Sequence, residues 1–177
     1  MRRSQHTNYK RWDANIYEYK KQYFILQMCQ QGKELDPAHG VEQLVSDFCA
    51  VSKKLPVDSS AEVIGHATLK ALDDFDVIGH SFDEYDIPAR NKVISSWFGA
   101  RGMGSLEKNC RVVQIIQDIA TGVVSVKPFD NHNRNNWNGP MEDKVIKISP
   151  ATAVSLGEAI QAAFLVATYH PERKDPV

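Results

Sequence analysis

Two segments of this chain carry one pattern. Ile64-Gly65-His66-Ala67 is followed by a second Ala at Ala71, and Leu156-Gly157-Glu158-Ala159 by one at Ala163. These offsets place the small residues on one helix face. A mid-helix Gly costs about 1 kcal/mol against Ala. Keeping two of them predicts helices that lie unusually close to whatever they pack on. The segments flanking the two motifs do not match, so the pattern is a shared packing device and not a structural repeat.

The second motif closes a C-terminal third that reads strand, turn, strand, loop, strand, helix. Arg111 to Ile119 is a β-branched strand and Ala120-Thr121-Gly122 a tight connection. Val123 to Phe129 returns, alternating Val124, Val126 and Pro128 against Val123, Ser125 and Lys127. Asp130 to Pro140 is a polar, Asn-rich loop around Trp137. Val145 to Ile148 is a third strand, and Ser149 or Thr152 caps a last helix running to about Tyr169.

Upstream the signals point to helices. Tyr23-Phe24-Ile25-Leu26 suits a buried strand over 22–30, with a helix from Asp13 onward as its competitor. Asp36-Pro37 has the form of a helix start, and Val41, Leu44, Val45, Phe48 and Cys49 recur at helical spacing, with Pro56 beyond. Ser59-x-x-Glu62 forms a capping box for a helix over 60–74. Residues 76–88 read as a loop. A third helix over 89–99 carries Val93, Ile94, Trp97 and Phe98, Gly99 and Gly102 break it, and Ser105 can cap a short turn to Asn109. The fold class that follows is α+β: one domain over 14–170, an antiparallel β-meander packed with several α-helices. Residues 1–13 read as a basic, flexible arm and 171–177 as a polar tail.

At 177 residues and 42% hydrophobic, the chain can bury one good core. A net charge of −1 disfavours bulk attraction to nucleic acid or membrane. Three widely spaced Cys, all in apolar runs and without a C-x-x-C, read as reduced, buried thiols of a cytoplasmic protein. No apolar run of signal-peptide or membrane-spanning length occurs.

The sharpest charge feature is an acidic window: Asp73, Asp74, Asp76, Asp83, Glu84 and Asp86 without a Lys or Arg between them. The first carboxylates fall at a helix C-terminus, where they oppose the dipole and repel one another. Stability alone seldom keeps such an arrangement, although charge runs are often plain solvated surface. In the 130–139 loop, Arg134 and Trp137 are residue types favoured at contact hot spots, against the plain alternative that Trp137 folds back over the sheet. Arg101-Gly102-Met103-Gly104 follows a helix and lacks the context of a phosphate loop. None of the six His has the helical spacing of a zinc site, and Asp76, His80 and Asp83 offer too few ligands on one short loop. No nucleophile-and-base signature appears, so neither a catalytic residue nor a cofactor is assigned.

With the meander and last helix in view, the chain resembles the immunity proteins of bacterial contact-dependent growth inhibition (CDI) systems, the CdiI family. The residues that carry the likeness are Gly102 to Asn109, the strand from Arg111, the turn at Gly122, Val126-Lys127-Pro128, Trp137 and Gly139, Val145 to Ile148, and Leu156-Gly157-x-Ala159. Upstream, Ile64-Gly65-x-Ala67-x-x-x-Ala71-Leu72 and Trp97 resemble the family's other helix and aromatic. The likeness spans about 60–168 and departs at Asp73-Asp74-Phe75-Asp76.

The resemblance implies a function without chemistry. A small cytoplasmic antitoxin binds and blocks its cognate CDI toxin C-terminal domain, a nuclease in many systems and often one acting on tRNA. A nuclease cleft is basic, so the acidic window is the expected contact. No direct nucleic-acid or membrane partner is expected. The competing reading is a small non-catalytic nucleic-acid-associated protein, using the basic arm with Arg90, Lys92, Arg101, Lys108 and Arg111. Near-zero net charge weighs against it.

Overall fold

The computed structural model describes residues 11–35, 42–75, 87–132 and 139–173. Strands β1 (Arg11–Tyr19), β2 (Gln22–Leu35) and β3 (Glu42–Pro56) come first. Helices α1 (Ala61–Asp73), α2 (Ile87–Trp97) and α3 (Met103–Asn109) follow. Then come β4 (Arg111–Asp118), β5 (Val124–Asp130), β6 (Gly139–Pro140), a 3-10 turn at Glu142–Lys144, β7 (Ile146–Ile148) and α4 (Ala153–Val166). The strands form one antiparallel sheet in the order β3-β2-β1-β4-β5, with both β6 and β7 on β5. The domain is α+β as expected, but the chain opens on strands rather than helices.

β1 holds the centre of the sheet, paired with β2 and with β4. Arg11, Trp12 and Asp13, assigned from the sequence to a flexible arm, open this strand, and the helical alternative from Asp13 is excluded. Both faces of β1 are covered. Ala14 and Ile16 join a core with α1 and α4, while Tyr17 and Tyr19 join a second core with α2 and α3. A strand buried on both faces has no polar side to alternate against, and its buried Asp13 and Glu18 break any apolar run. That is why the residues before Gln22 gave no strand signal.

The largest departure is β3. The helix expected over Asp36 to Lys54 is a strand from Glu42 onward, while Asp36 and Pro37 lie outside the described residues. The pairing of β2 with β3 shifts register between Ile25 and Leu26, between Gln27 and Met28, and between Gln30 and Gly32. Each bulge inserts an extra residue and turns the following side chains to the other face. Two of the shifts leave an extra residue on β3, Ser52 and Cys49, and the third leaves Gln31 extra on β2, so strict period two does not run the length of either strand.

Other boundaries move less. Ser60, not Ser59, caps α1, its hydroxyl accepting from the Val63 N–H. Gly102 precedes α3 with no side-chain cap, so Ser105 plays no such part. Thr152 caps α4 in a reciprocal box with Ser155, and the helix stops at Val166, short of Tyr169. Gly122 closes the β4–β5 turn at φ 72. Val124, Val126 and Pro128 are buried, as their alternation predicts. Cys29 and Cys110 are buried free thiols, whereas Cys49 is only half-buried.

The two glycine motifs meet each other. A Cβ on Gly65 would stand 1.7 Å from the Ala153 carbonyl oxygen, and one on Gly157 1.7 Å from that of Ala61. Each glycine thus receives the backbone four residues upstream of the other. α1 and α4 cross antiparallel through a reciprocal contact that only a missing side chain permits.

Candidate functional site

α1 ends against β2. The Asp74 backbone N–H reaches the Lys70 carbonyl, and the Asp74 carbonyl accepts from the Gln27 amide. Phe75 is 8% exposed and tucks in just beyond. The helix end is therefore fastened to the sheet, and the first two residues of the acidic window sit on a fixed base. Asp73 is exposed, while Asp74 is half-buried with its carboxylate on Lys70 Nζ one turn back. That pair removes part of the like-charge repulsion at the helix end. Asp76, Asp83, Glu84 and Asp86 lie outside the described residues, as does His80.

Arg134 and Trp137 also lie outside them, but the stem of their loop is well defined. Phe129 pairs with Pro140 and Asp130 with Gly139. Thr168 Oγ1 donates to Asp130 Oδ1 at 2.6 Å, and the His132 N–H donates to the same carboxylate oxygen at 2.9 Å. These two bonds hold the Asp130 carboxyl below the usual carboxylate range. Asn131, 5% exposed, donates to the carbonyls of Glu107 and Cys110 at 2.7 and 3.1 Å. Thr168, beyond α4, thus holds the stem on one side, and Asn131 ties it to the end of α3 on the other.

The same segment covers a charged row that sequence reasoning missed. Arg111, Glu18 and Tyr23 stand side by side on β4, β1 and β2. Arg111 Nε donates to Glu18 Oε2 at 3.0 Å, with Nη2 on the same oxygen, and Tyr169 Oη donates to Oε1 at 2.7 Å. Arg111 Nη1 reaches the Phe164 carbonyl, where a cation suits a helix C-terminus. The Arg173 guanidinium lies 3.6 Å from the Tyr169 ring centroid, and Phe164 stacks on Tyr23 at 4.8 Å. Burial, then the hydrogen bond to Glu18, pushes the Tyr169 hydroxyl up, and burial, then the Glu18 charge, does the same for Tyr23. In the sequence Glu18 and Arg111 are two charged residues 93 positions apart, with nothing local to link them.

Glu18 is the hub of this network, with both carboxylate oxygens engaged. Its polar groups face one another, which makes it a latch for the C-terminal segment. It also uses up basic residues that the nucleic-acid reading needs: Arg111 is paired with Glu18, and Lys108 with Glu172 at 2.8 Å. The Cys110 thiol is pushed up by burial, the opposite of an activated nucleophile. Among the described residues no group of three His, Cys, Asp or Glu could hold a metal ion. No helix among them is long and apolar enough to cross a membrane.

No family model and no curated protein matches the chain. Solved structures do. The chain is similar to the protein of unknown function NMB0488 from Neisseria meningitidis, at a TM-score of 0.67 and 16% identity, over 95% of this chain and 100% of that one. It is also similar to a chain of the CdiA-CT/CdiI toxin and immunity complex from Yersinia pseudotuberculosis, at a TM-score of 0.59 and 14% identity, over 90% and 99%. At such identities the likeness is one of fold. Over nearly its whole length, then, this chain shares its α+β fold with a chain of a toxin and immunity complex.

Proposed function

We propose that this chain is an immunity protein, which binds the C-terminal toxin domain of a contact-dependent growth inhibition system and blocks it without chemistry of its own. The observation that carries this reading is the two-way coverage of the Yersinia match, 90% of this chain and 99% of the other. Neither of the two chains compared leaves a domain-sized segment unmatched. The residue motifs support it independently, since the two Gly-x-Ala elements that resemble the family form the reciprocal α1–α4 contact.

On this reading the protein works in the cytoplasm, where an incoming toxin acts. The partner on this reading is a nuclease domain with a basic cleft, of the kind that acts on tRNA. The acidic window is the contact: Asp73 and Asp74 at the fastened end of α1, then Asp76, Asp83, Glu84 and Asp86. Arg134 and Trp137, which follow the stem residues in the sequence, are the second contact. The test is co-expression with the toxin domain encoded immediately upstream of this gene, read as growth rescue and co-purification. Rescue with a stable complex is the expected result. A well-folded protein that neither rescues nor co-purifies overturns the reading.

A further inference from the structure

We propose that the tip of the β1–β2 hairpin, together with the end of β3, is a basic docking knob for a carboxylate-bearing surface of the protein partner; the inference rests on the toxin-binding reading above. Tyr19 pairs with Gln22, so the turn consists of Lys20 and Lys21 alone. Both are left-handed, at φ 50 and 59. Such a turn favours Asn-Gly or Asp-Gly, because side chains disfavour this backbone region. Here two lysines occupy it and set like charges side by side. Strain and repulsion kept together at an exposed tip point to use of the charges.

The end of β3 adds two more, Lys54 on the face of Tyr19, Phe24 and Phe98 and Lys53 on the opposite one. Lys53 and Lys54 stand opposite Ile25 and Phe24, and the Val57 N–H donates to the Lys21 carbonyl at 3.2 Å, which holds this strand end beside the tip. All four lysines are exposed, and none forms an ion pair among the described residues. Two are positioned. Lys20 Nζ lies 5.1 Å from the Tyr19 ring centroid and Lys54 Nζ 5.1 Å from that of Phe24. Those rings pack with Phe98 into a rigid floor, Phe24 to Phe98 at 4.5 Å. Ammonium groups held this way lose less freedom when they meet a partner.

The surroundings select the occupant. Tyr19, Phe24 and Phe98 are 3%, 3% and 5% exposed, so the knob offers no ring on which a nucleic-acid base could stack. None of the exposed large apolar residues lies on the hairpin tip or the end of β3, so it offers no wedge for a membrane. A narrow, two-residue protrusion of point charges suits a concave acidic site on a protein.

The experiment compares the full chain with its K20N/K21G variant, in binding to the upstream-encoded toxin domain at low and physiological salt and in thermal unfolding. The variant should melt a few degrees higher, because the turn is relieved. It should also bind about tenfold or more weakly at low salt, with a shallower salt dependence. K20R/K21R should bind like the wild type. K53Q/K54Q, which leaves the turn untouched, should bind more weakly and guards against a folding artefact. Unchanged affinity and salt dependence in K20N/K21G and K53Q/K54Q overturn the proposal while leaving the toxin reading intact. A wild-type chain that does not bind the toxin domain overturns both. Binding of total tRNA that K20N/K21G abolishes overturns the protein partner in favour of nucleic acid.

Discussion

Glu18 shows how much one side chain can hold. At 8% exposure it accepts from Arg111 and from Tyr169, joining two strands to the segment beyond α4. Removing one partner of a buried pair leaves the other charge without compensation, a loss of roughly 3–5 kcal/mol at full burial. The Arg111 side chain retains 22% exposure, so Glu18→Ala is expected to cost less, about 2–3 kcal/mol by urea denaturation. Glu18→Leu with Arg111→Met should cost less than Glu18→Ala, since no charge is stranded. The row also sets an alkaline limit. Tyr23 and Tyr169 ionise above the ordinary value of 10.0, so above that pH the unfolded chain loses protons that the folded one keeps. Stability contributed by these hydroxyls is intact below pH 10 and should fall above it, as a denaturation series against pH would show. None of this was legible beforehand: Glu18 and Arg111 meet only because β1 pairs with β4, and no local pattern carries that pairing.

At the scale of elements, the α1–α4 crossing was the most legible part of the molecule. Two glycines in helix interiors demand a reason, and the reason is a carbonyl oxygen 1.7 Å from where each Cβ would be. Two effects oppose each other in Gly65→Ala. Helix propensity gains about 1 kcal/mol. The backbone of α4 cannot yield as a flexible side chain would, so the helices must separate and loosen the packing of Ile64, Leu156 and Ile160. Overpacking of this kind costs about 1–3 kcal/mol and sometimes more, so the clash wins. Gly65→Ala and Gly157→Ala are each expected to lower the denaturation midpoint, and the double variant to cost less than their sum because both open one interface. β3 was illegible for the opposite reason. Its pairing with β2 shifts register three times, and those shifts depend on a partner strand that a window along one segment does not contain.

Across the whole molecule, charge is separated along β2. The lysine tip adjoins Gln22, while Gln27 holds the Asp74 end of α1, about 17 Å along the strand at the usual rise. A partner meeting both ends would be fixed in orientation as well as place. On the proposed immunity reading, charge reversal of Asp73 and Asp74 should slow association with the toxin domain several-fold at low salt and much less at high salt, measured by stopped-flow mixing. Equal rates at both salts would move the contact to the 130–139 loop. Of this surface the sequence revealed the acidic run but not the basic knob. Lys20 and Lys21 form a tip only once β1 is known to be a strand.

β1 is central in the sheet, yet among the described residues it is made before every other strand. One of its edges can be satisfied at once by β2, but the other waits for Arg111 to Asp118. At roughly 5–20 residues per second, translation leaves that edge open for on the order of 5–20 s. An open edge of this kind is a template for unwanted pairing. The nascent chain therefore carries this edge unpaired until Asp118 has been made.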